Sequence, residues 1–321
     1  MTIPDDLFAE FPLVGKADWL RQIAQDLKDK PLEDLNWRLP NGLVVSPFVH
    51  ADDFETPPAP LSEQPNQWEI CEDVTVSDPV AANRQAMDAL EGGAEGLCFW
   101  LDSPPSSEAF GRMLEGVQLD FIGLHFAGQA VADNPGMVLW MLENLARQRG
   151  IPTAQLRGSL AYDPVPTSRV VDWRYLADLL VFAKEKFPQF KIINISLSPT
   201  LEGAGLPAEG ASGGLGFRNA NLYLEKLSER GISAAEVAAS IQFSVELGKS
   251  YFLEIARLRA FTLVWLNVLN AWELPLQMPS MAARFQPQAY ADDLHTNMIR
   301  ATTMAMSAVL GGAGRLTVLP Y

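Results

Sequence analysis

The feature that most restricts the fold is a regular alternation of short β-like runs with longer helical runs, which begins near Gln67. Strands separated by helices pair in parallel through right-handed crossovers, so the alternation indicates an α/β domain. The sequence contains about eight such runs, the number that a closed (β/α)₈ barrel requires. These runs lie at 70–76, 96–101, 118–124, 154–160, 191–197, 241–247, 281–285 and 315–319.

The segments between these runs carry the signals that start helices. Asp78-Pro79 and Asn134-Pro135 each offer a capping side chain followed by a proline at the first helical position. A doubly wound open sheet would share the alternation, but no glycine-rich phosphate turn follows the first run. The glycines between 203 and 216 form neither a GxGxxG nor a GKS/T motif and indicate a flexible loop. A (β/α)₈ TIM barrel is therefore the predicted fold.

The residues before the barrel predict an N-terminal helical and extended arm. From Asp18 to Leu27 apolar residues recur at helical spacing, and Pro31 marks the end of this amphipathic helix. A proline-rich connector follows. We therefore predict an arm with its connector over 1–66 and a barrel over 67–321, which would end just after the eighth strand.

The charge and the segment lengths exclude several partners. The formal net charge of −15 argues against nucleic-acid binding, which requires a basic surface. No apolar run approaches about 18 residues, and acidic residues stand where a signal peptide carries basic ones, so we expect a cytoplasmic protein without membrane contact. Cys71, Cys98 and the three histidines show no ligand spacing, and we expect no metal.

Two of the predicted strands, 191–197 and 241–247, alternate apolar and polar residues instead of reading as continuous apolar runs. The apolar set should face the helices and the polar set the barrel lumen. An unpaired buried polar group costs roughly 1–3 kcal/mol, so the polar set either forms a self-satisfied network or binds a long, thin, partly polar ligand. The candidate lumen residues for substrate binding are Arg157, Ser159, Asn194, Ser196, Ser198, Gln242 and Ser244.

The segment IQFSVELGKSYFLEIARLRAFTLVW, from Ile241 to Trp265, resembles the methylmalonyl-CoA mutase family in its strand, its glycine, its Phe-x-Glu-Ile-Ala step and its Leu-Arg-Ala helix. The segment His295 to Leu316 is similar to the family's Asn-rich turn, Arg-Thr helix and Gly-Gly pair. The arm repeats the family's order of Trp37, Gly42, Val44, Val45 and Pro47. The resemblance implies an acyl-CoA threaded down the lumen and adenosylcobalamin held by a separate domain, which supplies the radical chemistry.

Several positions differ from the pattern of the family's catalytic chains. The catalytic Gly-Thr-Ile-Gln-Asn-Asp is similar to residues 158–163, which places Ala161 at the substrate-binding glutamine. The family's Ser-Gly-Tyr-His is matched only loosely by Ser198, Pro199 and Thr200, so the histidine is missing. The long insert that carries the catalytic tyrosine has no counterpart. Each lost donor would cost about 10²–10³ in rate, and the resemblance implies no catalytic residue in this chain.

These departures favour a non-catalytic small subunit of a heterodimeric methylmalonyl-CoA/succinyl-CoA mutase, an isomerase whose longer catalytic chain would be the partner. The resemblance implies no cobalamin-binding domain after the predicted barrel, so adenosylcobalamin would act in the assembly and would not be bound by this chain alone. One alternative is a barrel that rearranges acyl-CoA with a cobalamin domain supplied in trans, which would require an intact Tyr/Gln/His set. Another is a stand-alone barrel that binds a CoA ester, which would require only the polar lumen.

Overall fold

The chain forms two compact units, Met1–Pro60 and Leu61–Tyr321. Among the described residues, no helix combines the length and apolarity needed to span a bilayer. Residues 208–212 are described by their backbone alone. A computed structural model of the protein describes residues 14–28, 30–39, 42–56, 61, 66–167, 170–197 and 208–320.

The first unit contains the predicted amphipathic helix, α1 (Lys16–Leu27), followed by two short antiparallel strands, β1 (Trp37–Arg38) and β2 (Val44–Val45). The indole of Trp19 on α1 stacks on the Phe48 ring, with ring centroids 4.3 Å apart. This aromatic pair joins the helix to the segment that follows the strand pair.

The second unit is a nearly closed parallel barrel, and it confirms the predicted fold. Its nine strands follow the order β7-β6-β5-β4-β3-β11-β10-β9-β8, so the ends of the sheet, β7 and β8, are consecutive in the chain. Beside them, the Asn194 N–H donates to the Tyr162 carbonyl oxygen at 3.0 Å. The strands are β3 (Glu69–Thr75), β4 (Gly96–Trp100), β5 (Gly123–Ala127), β6 (Arg157–Leu160), β7 (Gln189–Lys191), β8 (Ile193–Ser196), β9 (Ile241–Leu247), β10 (Met281–Phe285) and β11 (Arg315–Thr317).

Helices follow the strands and form the outer layer of the barrel. The predicted caps are present, since Asp78 Oδ1 accepts from the Ala81 N–H at 2.8 Å and Asn134 Oδ1 accepts from the Met137 N–H at 3.1 Å. The helices are α2 (Pro79–Glu91), α3 (Ser107–Met113), α4 (Gln129–Asp133), α5 (Pro135–Gln148), α6 (Pro164–Thr167), α7 (Trp173–Lys186), α8 (Ala208–Ser228), α9 (Ala234–Ser240), α10 (Tyr251–Ala271) and α11 (Leu294–Gly311).

Three predicted strands were wrong in detail. The fourth begins at Arg157, not at 154, because Thr153–Gln155 forms a 3₁₀ helix. The third begins at Gly123, not at 118, because the chain turns before it, with the Phe121 N–H donating to the Gln118 carbonyl oxygen at 3.2 Å. The fifth is split into β7 and β8, because the Ile192 N–H between them donates to the Ser240 carbonyl oxygen at 2.9 Å. In consequence, β7 pairs with β6 and β8 pairs with β9.

The main core lies between the strands and the helices. The apolar residues of the two alternating runs are all buried there, so their polar neighbours point to the opposite face of the sheet. Phe243 illustrates the packing, since its ring contacts Trp265 of α10 and Phe217 of α8, with ring centroids 5.1 Å and 5.3 Å away.

We predict that Phe243→Ala lowers the free energy of unfolding by about 3–5 kcal/mol, because it leaves a cavity between β9 and two helices. Phe121→Ala is the matched control, since that ring is 72% exposed, and its effect should stay below about 0.5 kcal/mol. Urea denaturation monitored by circular dichroism measures both values, and equal losses in the two variants would contradict this description of the core.

Candidate functional site

Four side chains on four strands form a continuous hydrogen-bond network inside the barrel. His125 on β5 lies with Nε2 2.7 Å from Glu69 Oε1 on β3 and with Nδ1 2.8 Å from Ser159 Oγ on β6. Arg315 on β11 donates from Nη1 to the same Ser159 oxygen at 2.9 Å. We call these residues, Glu69, His125, Ser159 and Arg315, the lumen network.

The lumen network crosses the barrel from one side to the other. In the order of the sheet, β6 and β11 are separated by β5, β4 and β3 on one side and by the split fifth strand, β9 and β10 on the other. They are therefore opposite strands of the barrel. The hydrogen bond from Arg315 to Ser159 consequently spans the lumen. His125 and Glu69 continue the network from Ser159 to β5 and β3.

One arrangement of protons satisfies the whole network. Burial is the main reason that the pKa of His125 falls to about 4, and the nearby Arg315 charge adds to the effect, so the imidazole is neutral at pH 7. A neutral ring with its proton on Nε2 donates to the Glu69 carboxylate. Its Nδ1 then accepts from the Ser159 hydroxyl, whose oxygen accepts from Arg315.

Two glycines make room for the Glu69 carboxylate. A Cβ at Gly96 on β4 or at Gly123 on β5 would collide with the carboxylate oxygens of Glu69. Each glycine is the first residue of its strand, and a larger side chain there would occupy the space that the carboxylate fills. Gly96 and Gly123 therefore set the place of the lumen network within the barrel.

A second charged cluster lies nearer the carboxyl ends of the strands. Arg284 Nη2 on β10 is 2.8 Å from Asp73 Oδ2 on β3. The same guanidinium carbon lies 4.9 Å from the centroid of the Trp100 ring on β4, within the range of a cation–π contact. This cluster narrows the lumen above the network.

The candidate residues fall into two cavities, and Arg315 lines both. Asn194, Ser196 and Ser244 line a cavity of about 240 Å³ toward the carboxyl ends of the strands. Arg157 and Gln242 line one of about 190 Å³ at the amino ends.

Ser159 belongs to the lumen network, and Ser198 lies outside the described residues. The structure therefore does not bring the candidate set into one channel.

The candidate residues differ in how they are bonded. Arg157 is exposed and donates from Nη2 to the Phe121 carbonyl oxygen at 2.9 Å. It therefore lies at the rim of the cavity at the amino ends of the strands. Among the described residues, the buried oxygens Asn194 Oδ1 and Gln242 Oε1 have no hydrogen-bond donor. The polar groups of the lumen network thus satisfy one another's hydrogen bonds, whereas each cavity holds a described side-chain oxygen without a donor.

Most of the charged lumen residues were missed by the sequence analysis. Asp73 and Arg284 lie inside runs that were predicted as strands, whereas Glu69 and His125 each stand next to the end of such a run. Arg284 is a lone charge in the apolar run 281–285, and this signal would have identified it.

The barrel also brings a possible metal-ligand set together, which the sequence spacing did not predict. One donor atom each from Glu69, Cys71 and His125 lies within 4.8 Å of the others. Burial raises the pKa of the Cys71 thiol well above its ordinary value, so the thiol is protonated at pH 7. The Arg315 charge acts on both Cys71 and His125 and opposes a cation here.

Comparison with known proteins gives consistent results. Residues 54–321 match the family model described as methylmalonyl-CoA mutase. The methylmalonyl-CoA mutase small subunit of Porphyromonas gingivalis is 29% identical, over 99% of this chain and 54% of its own length.

In Streptomyces virginiae, the small subunit is 25% identical over 99% of this chain and 56% of its own length. The large subunit of that organism is 24% identical, over 92% of this chain and 47% of its own length. The chain thus spans about half the length of these relatives.

We predict that His125 makes stability fall as the pH falls. Its pKa of about 4 in the folded protein lies below the ordinary value of 6.5, so the unfolded chain takes up the proton first. Stability is therefore complete above about pH 6.5 and is lost progressively toward pH 4. By linkage, wild type should lose about 2 kcal/mol more than His125→Gln between pH 7 and 4.5.

Urea denaturation of both proteins at the two pH values measures this difference. Asp163, whose pKa burial raises to about 6, contributes with the opposite sign and is common to both proteins, so the comparison removes it. Equal pH dependence in wild type and His125→Gln would show that the imidazole does not titrate as proposed.

Proposed function

The chain belongs to the methylmalonyl-CoA mutase family, and from that premise we propose that it is a non-catalytic small subunit of a heterodimeric mutase. In this proposal a longer mutase chain isomerises methylmalonyl-CoA and succinyl-CoA, and this chain pairs with it. The relatives named small subunit and large subunit support an arrangement of two unequal chains.

The observation that carries the proposal is the hydrogen bond from Arg315 to Ser159 across the lumen, at 2.9 Å. An acyl-CoA that threads the barrel needs a passage between opposite strands. Opening one here would break a charge-assisted hydrogen bond, worth about 1.5–3 kcal/mol, and would expose the His125 pair with Glu69. The cavities on either side, about 190 Å³ and 240 Å³, are each smaller than the roughly 300–1,000 Å³ of typical ligand pockets.

The end of the lumen where the family's chemistry takes place supports the same proposal. Ala161 lines the cavity toward the carboxyl ends of the strands, at the position of the family's substrate-binding glutamine. Its methyl group can neither donate nor accept a hydrogen bond. Arg284 and Trp100 occupy the space beside it. The described residues there do not fit a site for adenosylcobalamin and acyl-CoA, so we assign the cofactor to the assembly and derive no step through it.

The polar interior has a structural role in this proposal. Glu69 and Arg315 bring one charge of each sign into the barrel, and His125 and Ser159 connect them without an added charge. A buried charge is tolerated when it is paired and hydrogen-bonded. The lumen network then holds β3, β5, β6 and β11 together in place of a substrate, and the outer surface is left to bind the partner.

We predict that mutase activity with methylmalonyl-CoA and adenosylcobalamin requires the longer chain and is raised by this one. This chain alone should show no turnover, because it lacks a positioned donor at Ala161. A mixture with the longer mutase chain of the same genome should show activity or thermal stability that neither chain shows alone. Turnover by this chain alone would contradict the proposal.

A direct titration separates the proposal from a stand-alone binding barrel. Isothermal calorimetry of this chain with methylmalonyl-CoA should give no saturable heat, because the lumen network blocks the threading path. Ser159→Ala removes the acceptor of the Arg315 hydrogen bond and serves as the matched variant, in which any saturable heat absent from wild type would show that this bond closes the path. Micromolar binding by wild type would instead favour a CoA-ester-binding barrel.

A further inference from the structure

Over its second half, helix α10 exposes large apolar side chains but no charged residue. Between Ala260 and Ala271 it contains no charged residue, although 20% of the whole chain is charged. A surface helix normally carries its polar and charged residues on the face turned away from the core. The outward face of α10 therefore differs from that of an ordinary solvent-facing helix.

The neighbouring helix α11 has the same property. Its only charged side chain other than a histidine, Arg300, is half-buried and donates from Nη1 to the Ala289 carbonyl oxygen at 2.8 Å. Large apolar side chains on the two helices are between 41% and 75% exposed. They are Phe252, Leu263, Val264, Leu294, Met298, Ile299, Met306 and Leu310, which we call the α10–α11 face.

The two helices present one surface. At Gly311 the side chain of Leu258 fills the space that a Cβ would occupy, so α10 and α11 pack closely there. Arg259, on the outer side of α10, donates from Nη2 to the Leu310 carbonyl oxygen at 3.2 Å. This hydrogen bond keeps the guanidinium between the two helices. The charge therefore does not project from among the exposed apolar side chains.

The extent of this face matches a protein interface. Eight large apolar side chains that are about half exposed together offer several hundred Å² of apolar surface. The largest apolar patch on a typical monomer is about 300–600 Å², and a standard interface buries about 800 Å² per partner. The face is therefore large enough to form the core of a stable interface.

We propose that the α10–α11 face is the docking surface for the longer mutase chain; the inference rests on the proposed function. Net charge argues against a second copy of this chain as the occupant, because each copy carries a formal charge of −15 and two copies would repel each other. A partner with a less acidic surface would not meet this repulsion. The relatives named small and large subunit support a partner other than a second copy.

The experiment compares three versions of this chain, each co-expressed with the longer mutase chain of the same genome and recovered through a tag on that chain. The test variant is Ile299→Glu with Met306→Glu, two exposed positions on α11. The control is Trp140→Glu on α5, which is 54% exposed and lies on the other side of the barrel. We expect the test variant to bind at least about 100-fold more weakly, with an unchanged melting temperature, and the control to bind as wild type does.

Each other outcome overturns the inference in a recognisable way. If the test variant binds as tightly as wild type, the docking surface is wrong and the proposed function stands. If wild type does not bind the longer chain, both are wrong. If light scattering shows a dimer of this chain alone that the test substitutions dissociate, and no binding of the longer chain, the occupant is a second copy.

Discussion

The hydrogen bond between Arg315 and Ser159 is the interaction on which the interior of the barrel depends. It joins opposite strands, and it fixes the hydroxyl that His125 needs as a partner for Nδ1. The imidazole in turn holds Glu69, whose carboxylate lies over two glycines. Because a buried charge is costly when unpaired, removal of any one member would leave the others without their partners. The network is stable only as a unit.

The polar groups of this lumen bond mainly to one another, unlike those of a barrel that binds a ligand through its lumen. A lumen that binds a ligand keeps its polar groups available, whereas this one uses Ser159 and His125 on each other and on the charged residues. The side-chain oxygens of Asn194 and Gln242, which have no donor among the described residues, lie in separate cavities that Arg315 lines. Over the part of the chain that the structure describes, the interior therefore combines both possibilities left open by the polar strands, a satisfied network and small polar cavities, and no continuous path joins the cavities.

The fold could be predicted from the sequence because the alternation of strands and helices is a local signal. The third strand was misplaced because Leu119 and Ile122 are buried as strand residues are, although the chain turns there. Of the lumen network, only Ser159 was predicted. Its partners come from three other strands, and no sequence spacing reports that β6 and β11 lie opposite each other. The closure of the barrel decides the contact.

The inside and the outside of this barrel show an inverted distribution of polarity. Charged residues such as Asp73 and Arg284 are paired in the lumen, while Ile299 and Met306 are exposed on the outer layer. Burial of the charges is tolerated because each one has a partner of opposite sign. No comparable compensation exists for exposed apolar side chains, whose contact with water is unfavourable until another surface covers them. The charges of the lumen are thus paired within this chain, whereas the exposed apolar side chains of the proposed docking surface would be stabilised by association.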